Sequence, residues 1–249
     1  MFEHCKSFKL SFLAGEILEV GRQTRKQSLS KTWYDQRAGR ITASIMHSEV
    51  HTSLCSPSLS LVKAICYLEV FSFSSPATDW GRTYEQFALK RYLSNEMAHH
   101  DSLSVSASAL FLNETWPFLG ASPDGIVNCS CCGKGLVEIK CPYKHRRSTI
   151  TSAIDDLQFC LALVNGKVAL KRSHLYFYQN QTQLHVRKVD FCGFCVCLFH
   201  PDKADDFFIE RNFPDNSFWD VCVQKSSLFF QEVLLLEWLE NGIHRQATA

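Results

Sequence analysis

The tightest constraint on this chain lies between Gly120 and Tyr143, where two strand-like runs flank a short polar turn. The first run is interrupted by Pro123-Asp124-Gly125, a favoured turn sequence. The second runs from Gly135 to Tyr143 and carries Glu138 and Lys140. Side chains alternate across a strand, so Glu138 and Lys140 share one face while Val137 and Ile139 point to the opposite, buried one. Residues 128–135, polar and with two glycines, read as the hairpin connection that folds Asp124 back beside Glu138. Neighbouring carboxylates repel unless a positive charge lies between them, and hard oxygen donors suit Mg²⁺, with Mn²⁺ as a substitute. Lys140 would stand beside such a metal and its water, where an ammonium orients the water or stabilises a charged transition state. The plain alternative is a solvated strand face with one acid and one lysine, and Asp124 as a turn former.

Around this hairpin the hydrophobic pattern predicts a mixed α/β (α+β) domain with a central β-sheet flanked by helices. Residues 1–30 read as a flexible or loosely docked lead-in, polar and basic over Gly21 to Lys31, with the domain proper over 31–245. Ser44 is a candidate N-cap. Apolar spacing predicts a helix over Leu61 to Glu69, and another carrying Tyr84, Phe87, Ala88 and Tyr92 on one face. Strands are expected at Val105 to Leu112, at Phe118 to Ala121 continuing past Pro123 through Gly125 to Val127, and at Leu136 to Cys141. Helices are expected at Ser152 to Val164 and His174 to Leu184. Strands follow at Phe191 to Phe199, apolar enough to be core, and at Phe207 to Ile209. A long helix from Asp215 to Asn241 closes the chain, stopped by Gly242.

Charge limits the choice of partner. Lysine and arginine number 26 against 25 acids, so any nucleic acid must be held by a local basic surface rather than by the global field. The basic loop after Lys140, with Lys144, Arg146 and Arg147, is read as contacting a phosphate backbone. No apolar run approaches the ~20 residues that span a bilayer, and the start lacks a basic region followed by an apolar stretch. The expectation is an intracellular protein, nuclear or cytoplasmic in a eukaryotic cell, without a membrane partner. Twelve cysteines then read as reduced thiols packed as small hydrophobes. A zinc set drawn from Cys129, Cys131, Cys132 and Cys141 lacks the usual C-x-x-C spacing, and His145 is isolated, so the cysteine hairpin is assigned no chemistry.

The P-D … E-x-K arrangement resembles that of the PD-(D/E)XK nuclease superfamily, and the flanking residues look like its YqaJ-type viral recombinase, lambda exonuclease-like branch. Four spaced motifs carry the likeness between about Gln27 and Glu240. Trp33 with Arg37 to Ser44 resembles the W-x-x-x-R-x-G-x-I-T-A-S opening. Trp80 to Glu85 resembles W-G-x-x-x-E, and Tyr176 to Gln181 resembles Y-x-x-Q-x-Q.

The resemblance implies a restriction-endonuclease-like core and a Mg²⁺-dependent nuclease acting on double-stranded DNA ends, in recombination, repair or viral and mobile-element DNA processing. It implies that Asp124, Glu138 and the backbone carbonyl of Ile139 bind the metal, that Lys140 activates water, and that Glu85 reaches a second metal side. Gln179 would complete the polar shell, with Tyr176 and Gln181 supporting it, and Arg37 and Ser44 would contact a terminal phosphate. Asp35 is an alternative partner for Arg37, and by residue type alone Glu85 faces solvent as readily as the site. A homo-oligomer or a recombination partner protein is compatible with this branch. An endonuclease or nickase, and a catalytically silent DNA-binding scaffold, remain open as alternatives.

Overall fold

A computed structural model describes residues 11–68, 75–200 and 205–240. The helices are α1 (Ala14–Gln23), α2 (Lys31–Arg37), α3 (Met46–Val50), α4 (Leu59–Cys66), α5 (Pro76–Glu96), α6 (Ile150–Ala153), α7 (Leu175–Arg187), α8 (Asn216–Phe229) and α9 (Leu235–Glu240). The strands are β1 (Ile41–Thr42), β2 (Ser104–Ser106), β3 (Phe111–Leu112), β4 (Leu119–Ala121), β5 (Gly125–Cys129), β6 (Gly133–Lys140), β7 (Leu161–Val164), β8 (Lys167–Leu170), β9 (Phe191–Leu198) and β10 (Asp206–Asn212).

A five-stranded sheet in the order β10-β9-β6-β5-β2 forms the centre. Only its β6–β9 pair is parallel, so the sheet is mixed. Every residue of β9 is buried, because helices cover both of its faces. Cys195 and Cys197 pack with Ala88 and Tyr92 of α5, and Phe194 and Val196 pack with Phe177 of α7. A strand covered on both sides needs a continuous apolar run rather than alternation, which is why 191–198 reads as it does. A second sheet, β1-β4-β3, carries the chain into Pro123 and Asp124. Among the described residues, no helix is long and apolar enough to cross a membrane.

Several expectations fail for identifiable reasons. The expected strand Val105 to Leu112 divides into β2 and β3, which belong to different sheets. The expected strand across Pro123 likewise divides into β4 and β5, since proline cannot donate to a ladder. The expected helix Ser152 to Val164 keeps one turn, α6, and then enters the β7–β8 hairpin. Asn165 and Gly166 turn that hairpin with φ of +51° and +75°, the both-positive signature of a type I′ turn. Ser44 caps nothing, as the short α3 starts after Ile45. The lead-in is not loose over its described part. Val20 of α1 packs on Leu110 and Leu112, and the buried Thr24 hydroxyl accepts from the Leu110 N–H at 3.0 Å.

The C-terminal helix begins as predicted, with Asp215 accepting from the Phe218 N–H at 3.0 Å. A π-turn over Phe230–Leu234 links α8 to α9. There the Trp238 indole donates to the Gly39 carbonyl at 3.0 Å. Gly39 has φ +73°, and a Cβ there would lie 1.7 Å from the indole nitrogen, so the helix can close on the core only over a glycine. The expected stop at Gly242, the domain end at 245 and residues 1–10 of the lead-in lie outside the described residues.

Candidate active site

Asp124 leaves the β4 sheet and meets β6 where that strand ends. Its N–H donates to the Val137 carbonyl at 3.1 Å, and its Oδ2 accepts from the Ile139 N–H at 2.6 Å. Glu138 of β6 is 2% exposed and meets α7. Its Oε1 accepts from Gln179 at 2.5 Å and from Lys140 Nζ at 2.7 Å, and its Oε2 accepts from Gln183 at 2.7 Å. Tyr176, Gln179 and Gln183 are spaced i, i+3 and i+7, so one face of α7 supplies all three. The Lys140 ammonium lies 4.5 Å from the Tyr176 ring centroid, a cation–π distance. Glu85 enters from α5, one turn before the buried Ala88, and so faces the sheet rather than solvent.

Electrostatics bind these groups into one site. Burial, then the Glu138 and Glu85 charges, push the Asp124 carboxyl well above its ordinary range, against the opposing pull of Lys140 and the Ile139 N–H. Burial and Glu138 likewise raise Glu85. Burial disfavours the Lys140 ammonium, yet Glu138, Tyr176 and Asp124 outweigh it and hold the lysine above its usual value. Three carboxylates against one ammonium leave surplus negative charge in a buried place. The donor set is hard oxygen, which fits a divalent cation of the Mg²⁺ or Mn²⁺ kind better than a soft metal.

A cleft of about 550 Å³ opens beside Asp124 and Glu85, with Arg25, Lys26 and Arg82 on its wall. The Gln27 side chain donates to the Pro123 carbonyl at 3.1 Å and fastens this wall to the turn that carries Asp124. Sequence reasoning missed Arg25, Lys26 and Gln183. Arg25 and Lys26 fall in the basic run that the sequence reads as a lead-in, and Gln183 lies four residues after Gln179, beyond the Y-x-x-Q-x-Q motif.

The other expected residues divide. Arg37 stacks 3.9 Å over the Trp33 ring and donates to Thr42 Oγ1 at 3.3 Å, which in turn lies 3.3 Å from Ser44 Oγ. Burial lowers the Arg37 guanidinium to about 10, and its Nε is buried without a hydrogen-bond partner. Asp35 bonds Lys31 at 2.8 Å instead of Arg37. This group is tied to the turn that carries Asp124 through Trp33, whose indole donates to Ser122 Oγ at 3.0 Å. In the loop after β6, Lys144 pairs with Asp156 at 2.5 Å, Arg146 folds over Tyr143 at 3.8 Å, and Arg147 is exposed. Gln181 turns away from the site. Its amide donates to the Phe213 carbonyl at 2.9 Å and its oxygen accepts from the Asp215 N–H at 2.8 Å, so it fastens α7 to the start of α8.

Comparison with known proteins agrees with this architecture. The sequence model of the YqaJ-like viral recombinase domain matches residues 32–190. The uncharacterized protein R354 of Acanthamoeba polyphaga mimivirus is 26% identical over 191 residues, covering 74% of this chain and 31% of that protein. The chain thus spans about a third of that relative's length. The alkaline exonuclease LHK-Exo from Laribacter hongkongensis superposes with a TM-score of 0.58 at 23% identity, over 87% of this chain and 99% of that one. The Shutoff and Exonuclease Protein from Kaposi's sarcoma-associated herpesvirus gives 0.53 at 12% identity, over 92% and 73%. A SOX–DNA complex gives 0.56 at 13% identity, over 86% and 69%. With most of its length matched by the family model, and with a fold like that of the Laribacter alkaline exonuclease, this chain belongs to the YqaJ-like viral recombinase domain family.

Proposed function

We propose that this chain is a Mg²⁺-dependent deoxyribonuclease that hydrolyses DNA phosphodiester bonds without sequence preference, working inward from double-stranded ends. The observation that supports this reading is the Lys140–Glu138 pair at 2.7 Å, in electrostatic reach of Asp124 and Glu85, which line an open cleft. Mg²⁺ held by Asp124 and Glu138, with the Ile139 carbonyl and with Glu85 toward a second site, would supply Lewis-acid stabilisation of the phosphate charge. Gln179 and Gln183 fix both oxygens of Glu138, so that carboxylate is oriented before substrate arrives. Lys140, kept cationic by its neighbours, positions the attacking water and offsets charge that develops on the phosphate oxygens. Mn²⁺ serves the same donor set.

Arg37 and Ser44, linked through Thr42 and tied to the Asp124 turn by Trp33, would take the phosphate of a DNA end. The exposed Arg25, Lys26 and Arg82 suit the duplex backbone. Arg147 extends the basic surface, and Arg146 and Lys144 join it where a phosphate competes with their present partners. Family membership, and relatives whose names state exonuclease activity, support action at ends.

The test is digestion of a labelled linear duplex with Mg²⁺, its ends either open or blocked. Open duplex is degraded, blocked duplex survives, and Lys140→Ala loses activity by about 10²–10⁴-fold. Cutting of blocked duplex would make the protein an endonuclease. Equal digestion by wild type and Lys140→Ala would contradict the site itself.

A further inference from the structure

The β5–β6 hairpin has two chemically distinct ends. Asp124 lies at one, and at the other, roughly 17 Å away along five residues of strand, the tip gathers Cys129, Cys131 and Cys132. The segment after α5 brings His100 to the same point, so that one nitrogen and three sulfurs all lie within 4.8 Å of one another. His100 Nδ1 is 3.3 Å from the Cys131 sulfur and 3.3 Å from that of Cys132. The Cys129 and Cys131 sulfurs are 3.1 Å apart, and those of Cys131 and Cys132 are 3.5 Å apart. Sulfurs bound at ~2.3 Å in a tetrahedron lie about 3.8 Å from one another, and a nitrogen ligand somewhat closer. The four separations of 3.1–3.5 Å therefore need to widen by only fractions of an ångström to surround an ion, and no pair lies beyond 4.8 Å.

We propose that His100, Cys129, Cys131 and Cys132 form a structural zinc site. Cys141, the fourth residue that sequence alone offers, lies at the far end of β6 and packs in the core. His100 takes its place. The missing C-x-x-C spacing is answered by a C-x-C-C turn completed from a distant helix end.

The surroundings match the needs of such a site. Glu96 places a carboxylate oxygen 3.5 Å from His100 Nε2, the arrangement that orients a metal-bound imidazole. Arg211 of β10 donates to the Cys132 sulfur at 3.3 Å and lies 3.6 Å from Glu96. Zinc with three thiolates and a neutral imidazole carries one net negative charge, and the Arg211 guanidinium stands against it. Arg211 also approaches His100 Nε2 at 2.9 Å, a contact that requires Nε2 to be an acceptor. With the ion on Nδ1, Nε2 carries the proton and turns it to Glu96, while Arg211 keeps its bond to Cys132. Four protein ligands leave no open position, so this zinc holds structure rather than performs chemistry. It ties the hairpin that bears Asp124 and Glu138 to the end of α5, which bears Glu85.

The experiment measures zinc in the full chain purified under reducing conditions, by plasma mass spectrometry, and titrates cobalt into protein stripped of zinc. Asp124→Asn serves as the background that silences the carboxylate site. One equivalent of zinc per chain is expected, with a cobalt–thiolate charge-transfer band of tetrahedral type. Zinc content falls by about ten-fold in Cys131→Ser and His100→Ala and is unchanged in Cys55→Ser, an exposed cysteine outside the cluster. The cobalt band is read on the parent chain, so poor folding of a cluster variant does not protect the proposal. Absence of both zinc and the band, full zinc retention in Cys131→Ser, or a disulfide within the cluster that persists in the reduced, metal-supplemented chain would each overturn it.

Discussion

Glu138 is held by three side-chain donors, and only two of them, Lys140 and Gln179, belong to a motif visible in the sequence. Gln183, the third, is fully buried and touches no substrate-facing surface, so its effect passes through Glu138. Replacing it with leucine keeps its volume but leaves Oε2 without that donor. Gln183→Leu is expected to weaken Mn²⁺ binding or turnover by about 10–100-fold, read by calorimetric titration and by initial rates, with the fold retained by circular dichroism. A second residue-scale prediction concerns Glu49, which burial pushes up to about 7, against donation from the Ser226 hydroxyl at 2.6 Å. Its folded pKa exceeds the unfolded value, so its contribution is complete below pH ~4.5 and is lost as pH rises through 7. The loss at alkaline pH is about 3 kcal/mol. Glu49→Gln, which can still accept from Ser226, should match wild type near pH 4.5 and melt higher at pH 8.5 in thermal denaturation.

Among the elements, those set by a single dominant pattern were legible. The buried run of β9 and the start of α8 at Asp215 read correctly from residue order, as do Ala88 and Tyr92 on α5, whereas Phe87, expected on the same face, is exposed. The hairpin logic that joins Asp124 to Glu138 was legible too, because alternation and a short turn leave few other arrangements. The β7–β8 hairpin was not. Its apolar residues suit either period, and the Asn165-Gly166 turn that decides between them was overlooked. The division of 105–112 between two sheets depends on long-range pairing, β2 with β5 and β3 with β4, which local pattern does not encode. The closure of α9 over Gly39 is equally long-range, and Trp238 is its anchor. Trp238→Ala should cost about 3–5 kcal/mol, measured by urea denaturation, with the midpoint falling at unchanged slope.

Taken as a whole molecule, the chain has a formal charge of only +1, so attraction to DNA depends on where the cations lie. Arg25, Lys26 and Arg82 stand on the wall of the cleft that holds Asp124 and Glu85. Replacing all three with glutamine should raise KM for duplex DNA with little change in kcat, and lower the slope of log affinity against log salt by about 2–3. Equal salt slopes in the variant and the parent would remove this wall from the DNA path. The central claim, that the half-buried Asp124 and the buried Glu138 carboxylates jointly hold a divalent cation, is tested most directly by anomalous diffraction from a Mn²⁺-soaked crystal. The account predicts a manganese peak about 2.2 Å from both carboxylates, with Lys140 displaced from Glu138 toward the cleft. Full-occupancy soaking that leaves no peak there would contradict it.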